Sequence, residues 1–205
     1  MFGRVAIVTG GYSGIGKEIA LECLRNRMKV MVLDLVQDPR SISEFQSNLK
    51  QTILIEEENR KIEEKSDFFV SYCRADVSQE EQVQRAVSQT LEEFGRIDLL
   101  VNNAAITRPV NSPIESLSLD AWNHVLAVNL TGPFLMSKHC VESLRKSPKG
   151  GSIVNISSTR AVMSEKHGEA YSSTKAGLLV GASSPSAPIP PSARIPFFIL
   201  KARFT

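Results

Sequence analysis

Two side chains that can exchange a proton with a bound molecule, Tyr171 and Lys175, lie four residues apart in the sequence. On a helix this spacing places them on one face, with the lysine ammonium beside the phenol. A positive charge stabilises the phenolate, so the pair can do acid–base chemistry. Ser158 lies 13 residues before Tyr171. Because Y-x-x-x-K also occurs by chance, its meaning depends on the rest of the chain.

A glycine-rich turn, Thr9-Gly10-Gly11-Tyr12-Ser13-Gly14-Ile15-Gly16, follows an apolar run near the start of the chain and opens a predicted helix. Backbone N–H groups at such a helix start can face a pyrophosphate. Gly10 allows the tight turn, while Gly14 and Gly16 allow backbone and helix to approach closely. The spacing is G-x-x-x-G-x-G, and a plain turn is the alternative. The candidate dinucleotide contacts are Gly10, Ser13, Gly14, Ile15 and Gly16. Joined to Tyr171 and Lys175, the turn predicts a redox enzyme.

Asp34 directly follows the apolar run Val30–Leu33, 18 residues after Gly16. A carboxylate at this position can accept hydrogen bonds from the adenosine ribose hydroxyls, and it would repel a 2′-phosphate. The sequence therefore predicts NAD rather than NADP as the cofactor. The alternative is that Asp34 only caps the next element.

Short apolar runs alternate with stretches of helical periodicity along the chain. This alternation predicts an α/β fold: a doubly wound, Rossmann-like parallel sheet in a three-layer αβα arrangement, forming a single domain. One stripe of apolar residues, from Val83 to Phe94 and including Leu91, marks a helix, and a long helix is predicted over 120–145. The predicted strands are Val5–Val8, Val30–Leu33, Phe68–Tyr72, Leu99–Val101 and Ile153–Ile156.

The segment 40–66 interrupts this alternation. Ser41 and Glu44 have the spacing of a capping box, which predicts a helix beginning near Ser41. Its many charges favour an exposed helix, interpreted as a solvated extension, with partner binding as the alternative.

Composition excludes several classes of protein. The 205 residues are 42% hydrophobic with a net charge of +2, which fits an ordinary globular chain and gives no basic patch for nucleic acid. No apolar run is long enough for a membrane span, and no signal peptide is evident, so a cytoplasmic location is expected. Three cysteines without C-x-x-C spacing and three scattered histidines predict reduced thiols and no metal site.

Six motifs in the same order make the chain resemble the short-chain dehydrogenase/reductase family, in its "classical" subgroup. The resemblance spans about residues 4 to 181, and residue 105 is alanine where the family usually has glycine. The linker from Asp34 to Asp76 is longer than the family norm. The motifs are T-G-x-x-x-G-I-G from Thr9, Asp76-Val77, Asn102-Asn103-Ala104-Ala105, Asn129, Ser158 and Tyr171 to Lys175.

The resemblance implies an oxidoreductase that interconverts a secondary alcohol and a carbonyl compound. It implies that Asp76 and Val77 hold the adenine, and that Asn103 and Ala104 line the cofactor. It also implies four catalytic roles. Tyr171 is the acid or base, Ser158 binds the substrate oxygen, Lys175 also holds the nicotinamide ribose, and Asn129 anchors a water in the proton relay. Taken alone, Ser158 could be a strand-end hydroxyl and Asn129 a helix kink. Full-length members are expected to be homodimers or homotetramers, and the substrate stays open.

After Gly181 the sequence departs from the family. Residues 1–181 are interpreted as an incomplete cofactor-binding domain lacking its last strands, and 182–205 as an atypical tail rich in proline and serine. A frameshift, an alternative exon and a gene-model error all fit this departure. Phe197–Leu200 could add a sixth strand beside the fifth, but an unstructured tail is the favoured expectation. A weak or inactive chain that acts as a binding or regulatory protein is therefore the alternative function.

Overall fold

The computed structural model describes residues 3–59, 69–107, 113–148, 150–163, 166–181 and 197–198. These residues form a parallel sheet of six strands in the order β3-β2-β1-β4-β5-β6. The strands are β1 (Val5–Thr9), β2 (Lys29–Asp34), β3 (Val70–Arg74), β4 (Leu99–Asn102), β5 (Ser152–Ile156) and β6 (Phe197–Phe198). The α-helices are α1 (Gly14–Arg25), α2 (Pro39–Asn59), α3 (Glu80–Phe94), α4 (Leu119–Leu126), α5 (Gly132–Lys146) and α6 (Glu169–Gly181).

The sheet is covered on both faces, which confirms the predicted three-layer fold. Alternate residues of each strand point to opposite faces. On β1 and β2, Ala6, Val8, Val30 and Val32 pack in one core cluster with buried residues of α1 and α2. Ile7, Met31 and Leu33 pack in a second cluster with residues of α3 and α5. Because both faces are buried, the strands read as continuous apolar runs.

The strand predictions were correct to within two residues at each described end. The largest difference is at β3, which begins at Val70, so Phe69 lies before the strand; Phe68 lies outside the described residues. The long helix predicted over 120–145 is α4 and α5 joined by a π-helical turn, Ala127–Thr131. On α3, Leu91 of the predicted apolar stripe is 37% exposed rather than buried.

For residues 40–59, the expectation of a solvated extension was wrong. One face of α2, carrying Phe45, Leu49 and Ile53, is buried against the sheet in the same cluster as α1. The predicted capping box was also wrong, because Asp38 caps this helix: its carboxylate accepts the Ser41 N–H at 2.9 Å, and its carbonyl accepts the Ile42 N–H. Residues 60–66 lie outside the described part of the chain.

At the far edge of the sheet, Phe197 and Phe198 pair in parallel with Asn155 and Ile156 of β5. For these two residues the favoured expectation of an unstructured tail was wrong, and the alternative of a sixth strand beside β5 is confirmed. The other residues of the tail from 182 onwards lie outside the described residues. Within the described residues, no helix is both long enough and apolar enough to span a bilayer.

Candidate active site

Most of the residues predicted to bind a cofactor surround one cleft at the carboxyl ends of the strands. The strand order reverses between the adjacent strands β1 and β4: the chain crosses from β1 to β2 on one side and from β4 to β5 on the other. Ligands of doubly wound sheets bind at such a switch point. The cleft has a volume of about 510 Å³. Its predicted residues are Gly10, Ser13, Gly14, Ile15, Asp34, Asp76, Val77, Asn103 and Ala104, joined by residues such as Leu35, Ala75, Ala105 to Thr107, His124 and Val128.

The glycine-rich turn is held close to the ends of β2 and β4. Gly10 has a φ of +63°, and its N–H donates to the Leu33 carbonyl at 2.7 Å. Gly16 lies behind the cleft, where a Cβ atom would be 2.1 Å from the Gly10 carbonyl oxygen and 2.5 Å from Asn103 Nδ2. A side chain at Gly16 is therefore sterically impossible without a shift of the turn. Gly14 has a φ of +54° and faces open space.

The first amide groups of α1 are available for an anion. Ser13 is the N-cap residue, but its side chain makes no capping hydrogen bond. Helix N-termini with free N–H groups bind phosphate oxygens, and α1 is 12 residues long. The pyrophosphate of a dinucleotide fits this arrangement, in which the glycine-rich turn and the uncapped start of α1 face the open cleft.

Thr9 is a site-building residue that was missing from the predicted set. Its hydroxyl donates to the Val101 carbonyl at 3.3 Å and accepts the N–H groups of Asn103 and Ala104, each at 3.0 Å. The Asn103 amide in turn donates to the carbonyls of Thr9 and Gly10. These bonds join the end of β1 to the end of β4. The signal was present in the sequence, because Thr9 begins the glycine motif.

Asp34 ends β2 with its carboxylate at the cleft. Oδ2 accepts the Tyr12 N–H at 3.0 Å, and Oδ1 accepts the Leu35 N–H at 2.8 Å. Each oxygen keeps a further lone pair for a ligand hydroxyl. Asp34 is therefore more than a local cap, because it also ties the glycine-rich turn to β2.

Asp76 and Val77 follow β3 on the opposite wall of the cleft. The Asp76 carboxylate accepts both the N–H and the hydroxyl of Ser78, at 2.9 and 2.7 Å. Val77 is buried and packs against Gly132, where a Cβ atom would come within 2.8 Å of Val77 Cγ2. The start of α5, at Gly132, therefore sets the position of this wall.

Tyr171 and Lys175 share one face of α6, as their spacing predicts. Lys175 Nζ lies 5.6 Å from the centre of the Tyr171 ring and donates to the Ile156 carbonyl at the end of β5, at 2.8 Å. Burial lowers the pKa of Lys175 to about 8. The Lys175 ammonium therefore loses its proton much nearer to neutral pH than an exposed lysine does.

Ser158 lies two residues beyond β5 and begins a short 3₁₀ helix, Thr159–Ala161. Its Oγ accepts the Arg160 N–H at 3.2 Å, which leaves the hydroxyl proton for another acceptor. The neighbouring Ser157 hydroxyl donates to the Lys175 carbonyl at 3.0 Å. Ser157 therefore joins the end of β5 to α6, a role that the sequence did not reveal.

Asn129 is fully buried in the π-helical turn between α4 and α5. Its Oδ1 accepts the Ile106 N–H at 2.7 Å, and its Nδ2 donates to the Ile106 carbonyl at 3.1 Å. Nδ2 also lies 3.4 Å from the hydroxyl oxygen of Thr174, which is on α6. Asn129 thus connects the loop after β4 to the helix that carries Tyr171 and Lys175.

The predicted residues therefore divide into two adjoining groups. The cofactor candidates surround the cleft, apart from Gly16 behind it and Tyr171 and Lys175, which lie on α6. The four catalytic candidates are not part of the cleft wall, but Asn129 reaches it through Ile106. Across the described parts of the chain, no three His, Cys, Asp or Glu side chains form a group that could hold a metal ion.

Comparison with known proteins gives the same assignment as the motifs. The family model described as short chain dehydrogenase matches residues 4–183. An uncharacterized oxidoreductase of Thermotoga maritima is 39% identical over 177 residues, which cover 86% of this chain and 62% of that protein. (+)-Borneol dehydrogenase 2 of Salvia officinalis is 35% identical over 179 residues, which cover 87% of this chain and 57% of that protein. This chain thus spans about three fifths of the length of these relatives.

Among solved structures, the chain is similar to 3-oxoacyl-(acyl-carrier protein) reductase from Brucella melitensis in complex with NAD. The TM-score is 0.72 at 26% sequence identity, and the match covers 87% of this chain and 64% of that chain.

Proposed function

The chain belongs to the short chain dehydrogenase family, and from that premise we propose that it interconverts a secondary alcohol and a carbonyl compound with NAD(H). The observation that carries the proposal is the pair Tyr171 and Lys175 on one helix face. Lys175 Nζ lies 5.6 Å from the centre of the Tyr171 ring, and the pair adjoins the cleft at the carboxyl ends of the strands. When bound, the nicotinamide ring accepts or returns the hydride.

Proton transfer is the part of the reaction assigned to Tyr171. In alcohol oxidation the phenolate takes the hydroxyl proton, and in carbonyl reduction the phenol gives it back. The phenolate needs a nearby positive charge in a site that excludes water. Lys175 provides that charge from a buried position, and below its pKa of about 8 it is mostly protonated. Its hydrogen bond to the Ile156 carbonyl holds the ammonium in place.

Ser158 and Asn129 have supporting roles in this proposal. The Arg160 N–H occupies one acceptor position of Ser158 Oγ, so the hydroxyl can donate to the substrate oxygen. The Asn129 side chain is engaged by Ile106 on both its polar atoms. We therefore assign any relay water to backbone groups of the π turn, which Asn129 holds in shape.

The preference for NAD over NADP rests on Asp34. Its carboxylate lines the cleft, and its two oxygens can accept the hydroxyls of the adenosine ribose. A 2′-phosphate would meet this negative charge at close range. The similar reductase of Brucella melitensis was solved with NAD, which supports a nicotinamide cofactor.

We propose a small-molecule alcohol or carbonyl compound as the substrate, a cytoplasmic location and a homodimer or homotetramer as the full-length assembly. The alternative, an inactive binding or regulatory protein, is not favoured, because the relatives bear the names of enzymes and the catalytic pair lies together here.

One set of variants tests the proposal through dinucleotide binding and turnover. The chain should bind NADH at least about tenfold more tightly than NADPH, which is about 1.4 kcal/mol. Tyr171→Phe should reduce oxidation of secondary alcohols, (+)-borneol among them, by about 100-fold or more while the Kd for NADH stays the same. Lys175→Ala should weaken both NADH binding and turnover. The measurements are fluorescence titration with each dinucleotide and the rate of NADH formation.

Tyr72→Phe is the matched control, because it removes a tyrosine hydroxyl that donates to the Val36 carbonyl and lies outside the catalytic group. Its turnover should equal that of the unchanged chain. A Tyr171→Phe variant that retains a tenth of the activity would reject the proton-transfer role. Equal affinity for both dinucleotides would reject the preference for NAD.

A further inference from the structure

Tyr12, within the glycine-rich turn, is attached to two different parts of the molecule. Its backbone N–H donates to Asp34 Oδ2 at 3.0 Å. Its ring packs on the ring of Phe45, with centroids 4.9 Å apart and planes tilted by 31°. Phe45 belongs to α2, which is outside the cleft. An aromatic contact therefore connects α2 to the turn that faces the cofactor.

Phe45 is held firmly enough to act as a fixed support. Its side chain is 5% exposed and belongs to the core cluster. The next residue, Gln46, donates from Nε2 to the Val70 carbonyl at 2.9 Å, which joins α2 to β3. Near the other end of α2, Glu56 receives two hydrogen bonds from Arg25 of α1, at 2.8 and 2.7 Å. The helix that carries Phe45 is thus bonded to both neighbouring elements, α1 and β3.

The turn itself needs such a support. Gly10 and Gly14 both have positive φ angles, and glycine restricts its own backbone less than any other residue. The Gly10 N–H is bonded to Leu33, which fixes only the first part of the turn. Between these glycines, the Tyr12 ring is a large side chain that can bind the turn to the core.

The orientation of Asp34 depends on the same contact. One carboxylate oxygen accepts the adjacent Leu35 N–H, which any conformation of the turn permits. The other accepts the Tyr12 N–H, so it is fixed only while Tyr12 stays in place. If the turn moves, the carboxylate can rotate away from the position at which it would bind ribose hydroxyls and repel a 2′-phosphate.

We propose that Phe45 is a positioning residue for dinucleotide selection, acting through the Tyr12 ring on the Asp34 carboxylate. This inference rests on the proposed use of NAD(H). It gives α2 a role in the choice of cofactor, although no residue of α2 lines the cleft.

The test compares four variants by titration with NADH and with NADPH. Phe45→Leu keeps an apolar side chain in the core but removes the aromatic ring, and Tyr12→Ala removes the other ring. Each should narrow the NADH preference over NADPH by about threefold or more. Combining the two should add nothing to Tyr12→Ala alone, because both remove one contact. Tyr12→Phe keeps the aromatic ring and should therefore retain the NADH preference of the unchanged chain.

Leu49→Ala is the control for loss of packing, because Leu49 is fully buried one helical turn further along the same face of α2. It should lower stability and leave the ratio of the two affinities unchanged. A Phe45→Leu variant with the original ratio would overturn the inference. So would additive effects of Phe45→Leu and Tyr12→Ala, or a matching change of the ratio in Leu49→Ala.

Amide hydrogen exchange at Tyr12 gives a second measurement that needs no cofactor. Its N–H should exchange several-fold faster in Phe45→Leu than in the unchanged chain, relative to amides of β2, and Leu49→Ala should not reproduce this local effect. Unchanged exchange would reject the support by Phe45. If the unchanged chain binds neither dinucleotide, the proposed function fails, and the exchange rates still decide whether Phe45 holds the turn.

Discussion

At the scale of single residues, the glycines of the turn are required for two different physical reasons. At Gly16 the reason is space, because a Cβ atom would lie 2.1 Å from the Gly10 carbonyl oxygen. At Gly14 the reason is backbone conformation, because φ is +54° while a Cβ atom there would point into open space. The motif alone does not distinguish these reasons, but substitution by alanine does.

We expect Gly16→Ala to abolish NADH binding and to lower the free energy of unfolding by more than about 2 kcal/mol. The new methyl group must displace backbone at Gly10 or the Asn103 amide that joins β1 to β4. Gly14→Ala should lower the free energy of unfolding by only about 1 to 2 kcal/mol, the strain of a left-handed alanine. Urea unfolding and NADH titration measure both effects. Equal losses in the two variants would contradict this distinction.

At the scale of elements, α2 shows where a charge pattern is misleading. Phe45, Leu49 and Ile53 follow one another at four-residue spacing, which places them on one helix face. The surrounding charges suggested an exposed helix, yet this face is buried in the core shared with α1. Spacing was the better guide, because the polar residues occupy the opposite face of the same helix.

Truncating a side chain on this face should therefore destabilise the whole domain. We expect Leu49→Ala to lower the free energy of unfolding by about 2 to 5 kcal/mol, since Leu49 is fully buried. Leu54 of the same helix is 43% exposed, and Leu54→Ala should change stability by no more than about 0.5 kcal/mol. Denaturant unfolding of both variants measures this. Similar small effects would restore the interpretation of α2 as a solvated extension.

The sequence predicted the strands and the positions of the site motifs, because those depend on short apolar runs and local spacing. It did not predict contacts between residues far apart in the chain. Thr9 bonds to Asn103 across 94 positions, and Asn129 reaches Thr174 across 45. The Asn129 side chain bonds Ile106 and Thr174 from within the π turn, so its role there also depends on residues distant in the chain. Such bonds need the tertiary structure before they can be identified.

At the scale of the whole molecule, a network of stabilising hydrogen bonds and the candidate active site lie at opposite ends of the strands. At the amino ends of the strands, the buried Asp98 carboxylate accepts the Val5 N–H at 2.9 Å, the Ser147 hydroxyl at 2.5 Å and two N–H groups of Arg96. Its carbonyl accepts the Ser152 N–H. Asp98 therefore joins β1, β4, β5 and the end of α5, far from the cleft at the carboxyl ends.

Loss of this charge should affect stability in a pH-dependent way and leave cofactor binding intact. Burial raises the pKa of Asp98, but hydrogen bonds from Arg96, Ser147 and the Val5 N–H outweigh it, and the pKa lies below its ordinary value. The stabilisation is therefore complete above the unfolded-state pKa of about 4, and it is lost as pH falls through the lower folded-state pKa.

We expect Asp98→Asn to lower the free energy of unfolding at pH 7 by about 3 kcal/mol, at the lower end for a buried ion pair because Arg96 is partly exposed. The difference between variant and unchanged chain should shrink as urea unfolding is repeated below pH 4, because protonation removes the same charge from the unchanged chain. At pH 7 the folded variant should keep the Kd for NADH. A variant that unfolds like the unchanged chain but binds NADH more weakly would show that the amino and carboxyl ends of the strands are coupled rather than independent.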